Sequence, residues 1–333
     1  MRQIIKLSIL LLLLVGTASA HSSKVGSAGA QFLKIGVGSQ YQAMGDASVA
    51  VVNDVYATYW NPAGLVGIDN SEVSFTNVNW LLDVDLNYVA MAKQFDDVGV
   101  FGVSATILSL DDQEITTFEQ QSGTGDFFSA SSWAIGLSFA RQLTNMFSFG
   151  ATVKYVGERI YNEKAQGFAF DFGTLLHTGY RSLRLGMSIQ NMGPELEFSG
   201  TDLNVGYDSR SGQGNNPQVG AALNTTPYDL PMSFRVGMAY DFEVGPQSIL
   251  TMSGELKHPN DNLQQGSLGG QLAFSERFFL RGGYKFNYEE EGLSLGGGLM
   301  TNVSRGTQLK VDYAWQDFGR LNSTQRFSIG FTF

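Results

Sequence analysis

Few residues in this chain of 333 residues have the types and spacing that catalysis requires. There is no cysteine, and the three histidines, His21, His177 and His258, lie too far apart to form a local pair with metal-ligand spacing. We place His177 in a strand and His258 in a loop, and neither lies near a Ser-His-acid set. The sequence therefore predicts a protein that is not an enzyme and that has no metal site and no cofactor.

Other groups with possible chemistry have simpler interpretations. The acidic run Asp111, Asp112 and Glu114 is predicted to be a solvated edge, with calcium binding as the less favoured alternative. Gly123 and Gly125 lie in a predicted loop with no P-loop lysine after them, so they do not indicate a nucleotide site.

The composition argues against an ordinary cytoplasmic enzyme and against a nucleic-acid-binding protein. Charged residues make up 16% of the chain, below the roughly 25% that is usual in soluble domains, and there are 40 glycines. The formal net charge is -10, whereas binding to phosphates requires clustered lysine and arginine. No nucleic-acid partner is therefore expected.

Residues 1–20 have the features of a cleaved secretory signal peptide. Arg2 and Lys6 precede the apolar run 7–15, and residues 18–20 match the small-x-small pattern before a cleavage site. The apolar run is much shorter than the roughly 20 residues that a membrane-spanning helix needs, which makes an uncleaved anchor the weaker alternative. We predict an exported protein whose mature chain begins at His21.

From about residue 71 onward, apolar residues alternate with small or polar ones, which is the period of a β-strand. The last segment shows this most clearly, with Phe327, Ile329, Phe331 and Phe333 on one face and Arg326, Ser328, Gly330 and Thr332 on the other. A secreted soluble β protein alternates in the same way and is the alternative to a membrane barrel.

The spacing of these segments favours the membrane barrel. We predict strands at residues 71–80, 86–95, 99–110, 131–141, 147–159, 165–177, 181–192, 231–241, 248–257, 267–275, 278–286, 293–301, 307–315 and 325–333. They number about 14, which is even, and their connections alternate between short turns and longer loops that include 111–130 and 193–230. The predicted fold class is all-β, an antiparallel transmembrane β-barrel over 71–333 in the cell outer membrane, with lipid around it.

Aromatic residues support this interpretation in two places. Those that we place at the outer interface are Trp133, Tyr155, Tyr161, Tyr284, Tyr288, Tyr313 and Trp315. The chain also ends on Phe333, and Phe331 and Phe333 resemble the signal that the outer-membrane assembly machinery recognises.

The strand phases place charges of both signs inside the predicted barrel. They are Lys154, Asp171, Arg184, Arg235, Asp241, Glu255, Lys257, Arg281, Lys285, Lys310, Asp312 and Arg326. Mixed signs on neighbouring strands favour a structural salt-bridge lattice. A substrate pathway is the alternative, although the ring of a single sign that is usual for ion selectivity is absent.

The segment 21–70 lacks the alternation and is predicted to be a short hatch that enters the barrel. Pro62 fixes its own φ and favours an extended Asn61, and Gly64 is able to adopt a positive φ, so this stretch is predicted to be a rigid corner. The hatch could fill the lumen as a plug, or it could serve only to seal the barrel and guide assembly.

The loop 193–230 is the candidate partner-binding element, because it is long and acidic. Its charged residues are Glu195, Glu197, Asp202, Asp208, Arg210 and Asp229. This charge repels anionic lipopolysaccharide and suits a protein partner or divalent ions. A solvated mobile loop without a partner is the alternative.

Two short motifs in the hatch carry a family resemblance. Met44, Gly45 and Asp46, followed by Trp60, Asn61, Pro62, Ala63 and Gly64, resemble the PorV/PorQ family of outer-membrane barrels. That family lies within the FadL-like fatty-acid transporter superfamily, where an Asn-Pro-Ala turn occurs in the hatch. The chain departs from the usual family pattern at residues 39–42, just before the first motif.

The resemblance implies an outer-membrane component of the type IX secretion system. Such a protein would bind the carboxy-terminal signal domain of secreted cargo and a translocon barrel, without catalysis. The alternative is a FadL-like passive transporter of hydrophobic small molecules. A transporter should have a continuous apolar cavity beside the Asn61 turn, whereas a cargo-binding protein should have a plugged lumen.

Overall fold

The computed structural model describes residues 25–207 and 219–333, which form an all-β fold. Long antiparallel strands, 14 in number, close into one barrel, which confirms the predicted fold class. The predicted signal peptide and His21 lie outside the described residues.

The barrel strands agree closely with the predicted segments. They are β1 (Ser71–Asn79), β2 (Asp85–Phe95), β3 (Gly99–Ser109), β4 (Ala130–Thr144), β5 (Phe147–Ile160), β6 (Glu163–His177), β7 (Arg184–Met192), β8 (Ser233–Gly245), β9 (Ser248–Pro259), β10 (Gln265–Phe274), β11 (Phe278–Phe286), β12 (Leu293–Ser304), β13 (Thr307–Asp317) and β14 (Ser323–Thr332). Several continue beyond the predicted bounds, because backbone pairing persists where the alternation of side chains has ended.

The barrel closes through pairing of its first and last strands. Each strand pairs antiparallel with its neighbours, and β1 pairs with β14 so that Val73 lies opposite Phe331. β7 pairs with β8 although a long loop separates them. The outward side chains Phe327 and Phe331 are exposed, whereas the inward Arg326 and Ser328 are buried. In this strand the apolar residues of the alternating pattern therefore face the lipid, and the polar residues face the lumen.

Turn lengths distinguish the two ends of the barrel. One end has the connections 96–98, 145–146, 178–183, 246–247, 275–277 and 305–306, and the other has 80–84, 110–129, 161–162, 193–232, 260–264, 287–292 and 318–322. In bacterial barrels the longer loops are external, so we call the second end the external end. The longest loop contains a small hairpin in which Asn204–Tyr207 pairs with Val219–Ala222.

Residues 25–70 precede β1 and contain only short helical segments. These are Gln31–Lys34, Ser39–Ala43, Ala57–Trp60 and Pro62–Gly67, and further single turns occur at Leu81–Asp83, Thr201–Leu203 and Gly319–Leu321. No helix in the described part of the chain has the length and apolar character needed to cross a membrane. We call residues 25–70 the hatch, and residues 30–65 of it are almost entirely buried within the barrel.

Glycines of the barrel wall make room for the hatch backbone. At these positions a Cβ atom would overlap hatch atoms or approach them more closely than van der Waals contact allows. They are Gly102, Gly150, Gly173, Gly186, Gly237, Gly269, Gly283 and Gly296. The hatch therefore packs directly against the wall on most sides, and these eight wall positions require glycine for that reason.

Three details differ from the sequence-based expectations. Tyr288 is not in the outer aromatic belt, because Asn287 has a φ of 62° and the Tyr288 ring lies near the ammonium groups of Lys257 and Lys285 inside the barrel. His258 is not in a loop but near the end of β9, where it is exposed. Gly64 has no positive φ, and its role is the close approach to the Val52 carbonyl.

Candidate functional site

The Asn61 turn is fully buried and bonded to both the hatch and the wall. The side-chain nitrogen of Asn61 donates to the carbonyl oxygens of Val49 at 2.7 Å and Thr174 at 3.1 Å. Its side-chain oxygen accepts from the amide of Ala63 at 3.2 Å, which caps the turn that begins at Pro62. Asn61 itself is extended, with φ at −161°, as predicted from the following proline.

Trp60 stands next to this turn and is held from three sides. Its indole nitrogen donates to the carbonyl of Val37 at 2.9 Å. Gln190 on the wall donates to the Trp60 carbonyl at 2.8 Å, and the guanidinium of Arg235 lies 4.9 Å from the ring centroid. The second hatch motif, including Pro62, Ala63 and Gly64, is therefore packed closely against the barrel wall.

The first hatch motif makes the other set of contacts with the wall. Met44 packs against Gly269, and Gly45, with a φ of 65°, lies against Gly283 and Tyr284 of the wall. The carboxylate of Asp46 pairs with Lys285 at 2.5 Å. Both motifs that carried the resemblance thus occupy the hatch-wall interface.

Most of the predicted inward charges form ion pairs. Wall-to-wall pairs are Lys154 with Asp171, Arg184 with Asp241, Arg235 with Glu255, and Arg281 with Asp312. Lys285 and Lys310 pair instead with Asp46 and Asp54 of the hatch. Glu255 also accepts hydrogen bonds from the backbone of Ser48 and Val49, both at 2.9 Å. The lattice therefore joins the strands to one another and to the hatch.

A cavity of about 630 Å³ opens at the external end, above the hatch. Apolar side chains, among them Phe32, Trp80 and Phe318, form one part of its lining, and charged side chains, among them Lys257 and Arg326, form another. This size is within the usual range for a ligand site. The cavity does not reach Asn61, so it differs from the one that we expected for a transporter.

Charged groups at the base of this cavity are arranged around Lys285. Its ammonium contacts the carboxylates of Asp46 and Glu291, and Gln316 donates to Glu291 at 2.8 Å. Burial would raise the pKa of Glu291, but the charge and hydrogen bond from Lys285 outweigh it and hold that pKa below its ordinary value. Burial raises the pKa of the Tyr288 hydroxyl, which therefore stays neutral.

The candidate partner-binding loop is anchored to the hatch at its second end. The backbone of Asp229 forms a parallel bridge with Ala28, and its carbonyl accepts from Gly29. Tyr228 donates to Glu158 on the wall at 2.7 Å, and Glu158 also accepts from the amide of Ala30. Sequence analysis missed Glu158 and Tyr228, which no motif or local spacing indicates.

The structure separates the predicted loop residues into different environments. Glu195, Glu197 and Asp202 are exposed, whereas Asp229 is half-buried. Asp202 accepts from the amide nitrogen of Asn162 at 3.0 Å, which ties the loop to the β5-β6 turn. Asp208 and Arg210 lie outside the described residues, and no shared site among the loop residues is evident in the described part.

The remaining predicted residues lie at the seam. Phe331 and Phe333 are exposed on the outer face, and the backbone of Phe333 exchanges two hydrogen bonds with Ser71, both at 2.9 Å. Within residues 25–207 and 219–333, no three His, Asp or Glu side chains are grouped in a way that could hold a metal ion.

Solved structures with a similar fold include two toluene transporters and a FadL homologue. The Pseudomonas putida toluene transporter TodX shares 13% identity with the chain, covering 90% of it and 99% of TodX, with a TM-score of 0.59. The Ralstonia pickettii toluene transporter TbuX shares 12% identity, covering 89% of this chain and 97% of TbuX, with a TM-score of 0.56. A Pseudomonas aeruginosa FadL homologue shares 12% identity, covering 89% and 98%, with a TM-score of 0.53.

At this identity these likenesses show the fold alone, and no curated protein matches the chain. A family model described as type IX secretion system protein PorV matches residues 18–258. This match spans both hatch motifs and most of the barrel, and with the fold it points to the outer membrane. The chain belongs to the PorV family of type IX secretion system proteins.

Proposed function

We propose that this protein binds secreted cargo at the external end of the barrel and holds it near a translocon barrel, without catalysis. The main support is that the lumen is filled at one level and open at another. The hatch fills the barrel at the level of Asn61, whereas the external end has a cavity and a long loop anchored to the hatch. This arrangement suits recognition at the surface better than passage through the barrel.

The acidic residues of the loop 193–232 are the proposed contacts with the cargo signal domain. Glu195, Glu197 and Asp202 are exposed and unpaired with cations among the described residues. Carboxylates of this kind steer a partner with a basic surface and set its orientation. The translocon partner would be held through other surfaces of the protein.

Deletion of residues 194–227 tests this proposal directly. The deletion removes the backbone pairing of Leu196 with Tyr228 but leaves Tyr228 and Asp229, whose bonds to Glu158 and Ala28 involve no deleted residue. We expect retention of a purified carboxy-terminal signal domain on reconstituted protein to fall by about tenfold, the effect of losing roughly 1.4 kcal/mol of binding free energy. Deletion of 112–127 in the other long external loop is the control and should leave retention unchanged. Equal retention by both variants and the intact protein would contradict the proposal.

Passive transport of a hydrophobic small molecule is the second candidate. The fold it shares with the toluene transporters TodX and TbuX favours it, as does the partly apolar cavity. The packed hatch argues against an open path. Uptake of toluene into proteoliposomes distinguishes the two, because a cargo-binding protein should give no uptake above that of empty liposomes.

A further inference from the structure

The cavity at the external end is lined by two cations that have no ion-pair partner in the salt-bridge lattice. Lys257 and Arg326 are the predicted inward charges that have no carboxylate partner within the described residues, and both line this cavity. Arg326 donates to the carbonyl of Gly36 and to Gln316 and Thr324, and it lies 5.5 Å from the Trp80 ring. These neutral acceptors bind its donors but do not neutralise its charge.

Lys257 is even less satisfied than Arg326. Only 7% of the residue is exposed, and its ammonium makes no hydrogen bond to any described residue. It lies 6.0 Å from the Tyr288 ring, at the limit of a cation-π contact. An ammonium group has three donors, and no described residue accepts from those of Lys257, so they are available to a ligand in the cavity.

Gln265 lies directly opposite Lys257 in the β9-β10 register and also lacks a hydrogen-bond partner. It is 6% exposed, its side-chain oxygen has no hydrogen-bond partner, and it also lines the cavity. Side chains opposite one another in an antiparallel pair are about 5 Å apart at Cβ. An ammonium and an unpaired amide therefore lie together in the wall of the cavity.

We propose that this cavity binds a carboxylate carried on an apolar segment of a protein, held by Lys257 and Gln265. Asp46, Glu290 and Glu291 also line the cavity, but they pair with Lys285 and Arg320. The bound anion therefore supplies the ion-pair partner that Lys257 and Arg326 lack. The Gln265 oxygen is buried beside the cavity and lacks a donor. A peptide N–H bonds to it once the amide turns toward the ligand, whereas an alkyl carboxylate has no such donor. Leu82 and Leu321 line the same cavity and are 91% and 53% exposed, which provides an apolar surface for the neighbouring residues of the segment.

This inference rests on the proposed function, because it supplies a contact between the external end and a protein partner. Its test uses the full protein in lipid nanodiscs and an N-acetylated tripeptide of apolar residues. The peptide is prepared with a free carboxyl terminus and as the carboxy-terminal amide. By calorimetry, we expect the acid to bind about tenfold more tightly than the amide, as for a hydrogen bond to a charged group.

The variants assign this preference to the site. Lys257→Met should bring the affinities of acid and amide to within about twofold, and Gln265→Met should weaken binding of both peptides. Arg320→Gln removes an exposed cation of the same rim that pairs with Glu290, and it should preserve the preference. Migration of unheated samples on a gel confirms that each variant is a folded barrel.

Three results would overturn the inference. The first is equal binding of acid and amide to the intact protein, and the second is an acid preference that survives in Lys257→Met. The third is binding of dodecanoate that depends on Lys257 while neither peptide binds, because this identifies an amphiphile site. Any of them combined with normal retention of the signal domain leaves the cargo-binding proposal intact, so the two failures are distinguishable.

Discussion

Asn61 is fully buried, and all its side-chain hydrogen bonds go to backbone groups. It donates to a hatch carbonyl and to a wall carbonyl, and it caps the next turn through its oxygen. Replacing it would leave these buried backbone groups without partners, which costs more than the hydrogen bonds themselves contribute. Its role in the described structure is to fix the hatch to the wall.

Asn61→Ala should therefore lower the free energy of unfolding by about 2 kcal/mol, measured by urea titration in micelles. Asn77→Ala is the matched control, because Asn77 is half-buried and donates only to Asn87. The control should cost less than about 1 kcal/mol. If the two variants were equally stable, the Asn61 contacts would not hold the hatch.

Glu291 gives stability a defined dependence on pH. Its pKa in the folded protein lies below the ordinary value of 4.5, so its contribution is complete above that pH. The contribution is lost as the pH falls through the folded-state value. Thermal unfolding followed by gel migration should show a drop below about pH 4.5 that is smaller in Glu291→Gln. Glu289→Gln, at the exposed neighbouring position, should behave like the unmodified protein.

At the level of elements, the contact between hatch and strands depends on wall glycines. A Cβ on Gly269 would overlap the Met44 carbonyl, whereas a Cβ on Gly266 in the same strand would lie 3.6 Å from Leu256. Gly269→Ala should destabilise the barrel by about 1 to 3 kcal/mol, as for overpacking in a core. Gly266→Ala should be close to neutral in the same urea titration. Equal effects of the two would show that the wall does not pack tightly on the hatch.

The strands were predictable because lipid and lumen impose a period of two on side-chain choice. The incorrect predictions concern residues at or just beyond the ends of strands, where this constraint no longer applies. Asn287 takes a left-handed conformation just after β11 and turns Tyr288 inward, which no alternation indicates. Strand β9 continues through His258 and ends at Pro259, which has no N–H to donate to the ladder.

The candidate site was less predictable than the strands, because it depends on pairings far apart in the chain. The sequence placed Lys257 and Arg326 inside the barrel but could not show which cations would find carboxylates. Asp46 of the hatch pairs with Lys285, so the position of the hatch decides which charges are left over. The anchoring of Asp229 to Ala28 also depends on where the hatch begins.

For the whole molecule, the aromatic residue that follows β14 is expected to act during assembly more than in the finished barrel. Phe333 is half exposed, and its backbone bonds to Ser71 do not require the aromatic ring. Phe333→Ala should lower the amount of assembled barrel in cells several-fold while changing the unfolding of purified protein by less than about 0.5 kcal/mol. Phe327→Ala, which changes an exposed phenylalanine within β14, should assemble normally. Normal assembly of both variants would remove the proposed signal.

The seam between β1 and β14 has a consequence for the sequence of events in folding. Ser39 donates to Ser328, and Gly36 accepts from Arg326, so the inner segment touches the strand that is synthesised last. A finished cylinder whose glycines fit so closely around its contents has little clearance for threading them in afterwards. We therefore expect the open sheet to wrap around the folded insert and to join its first and last edges only when the interior is already occupied.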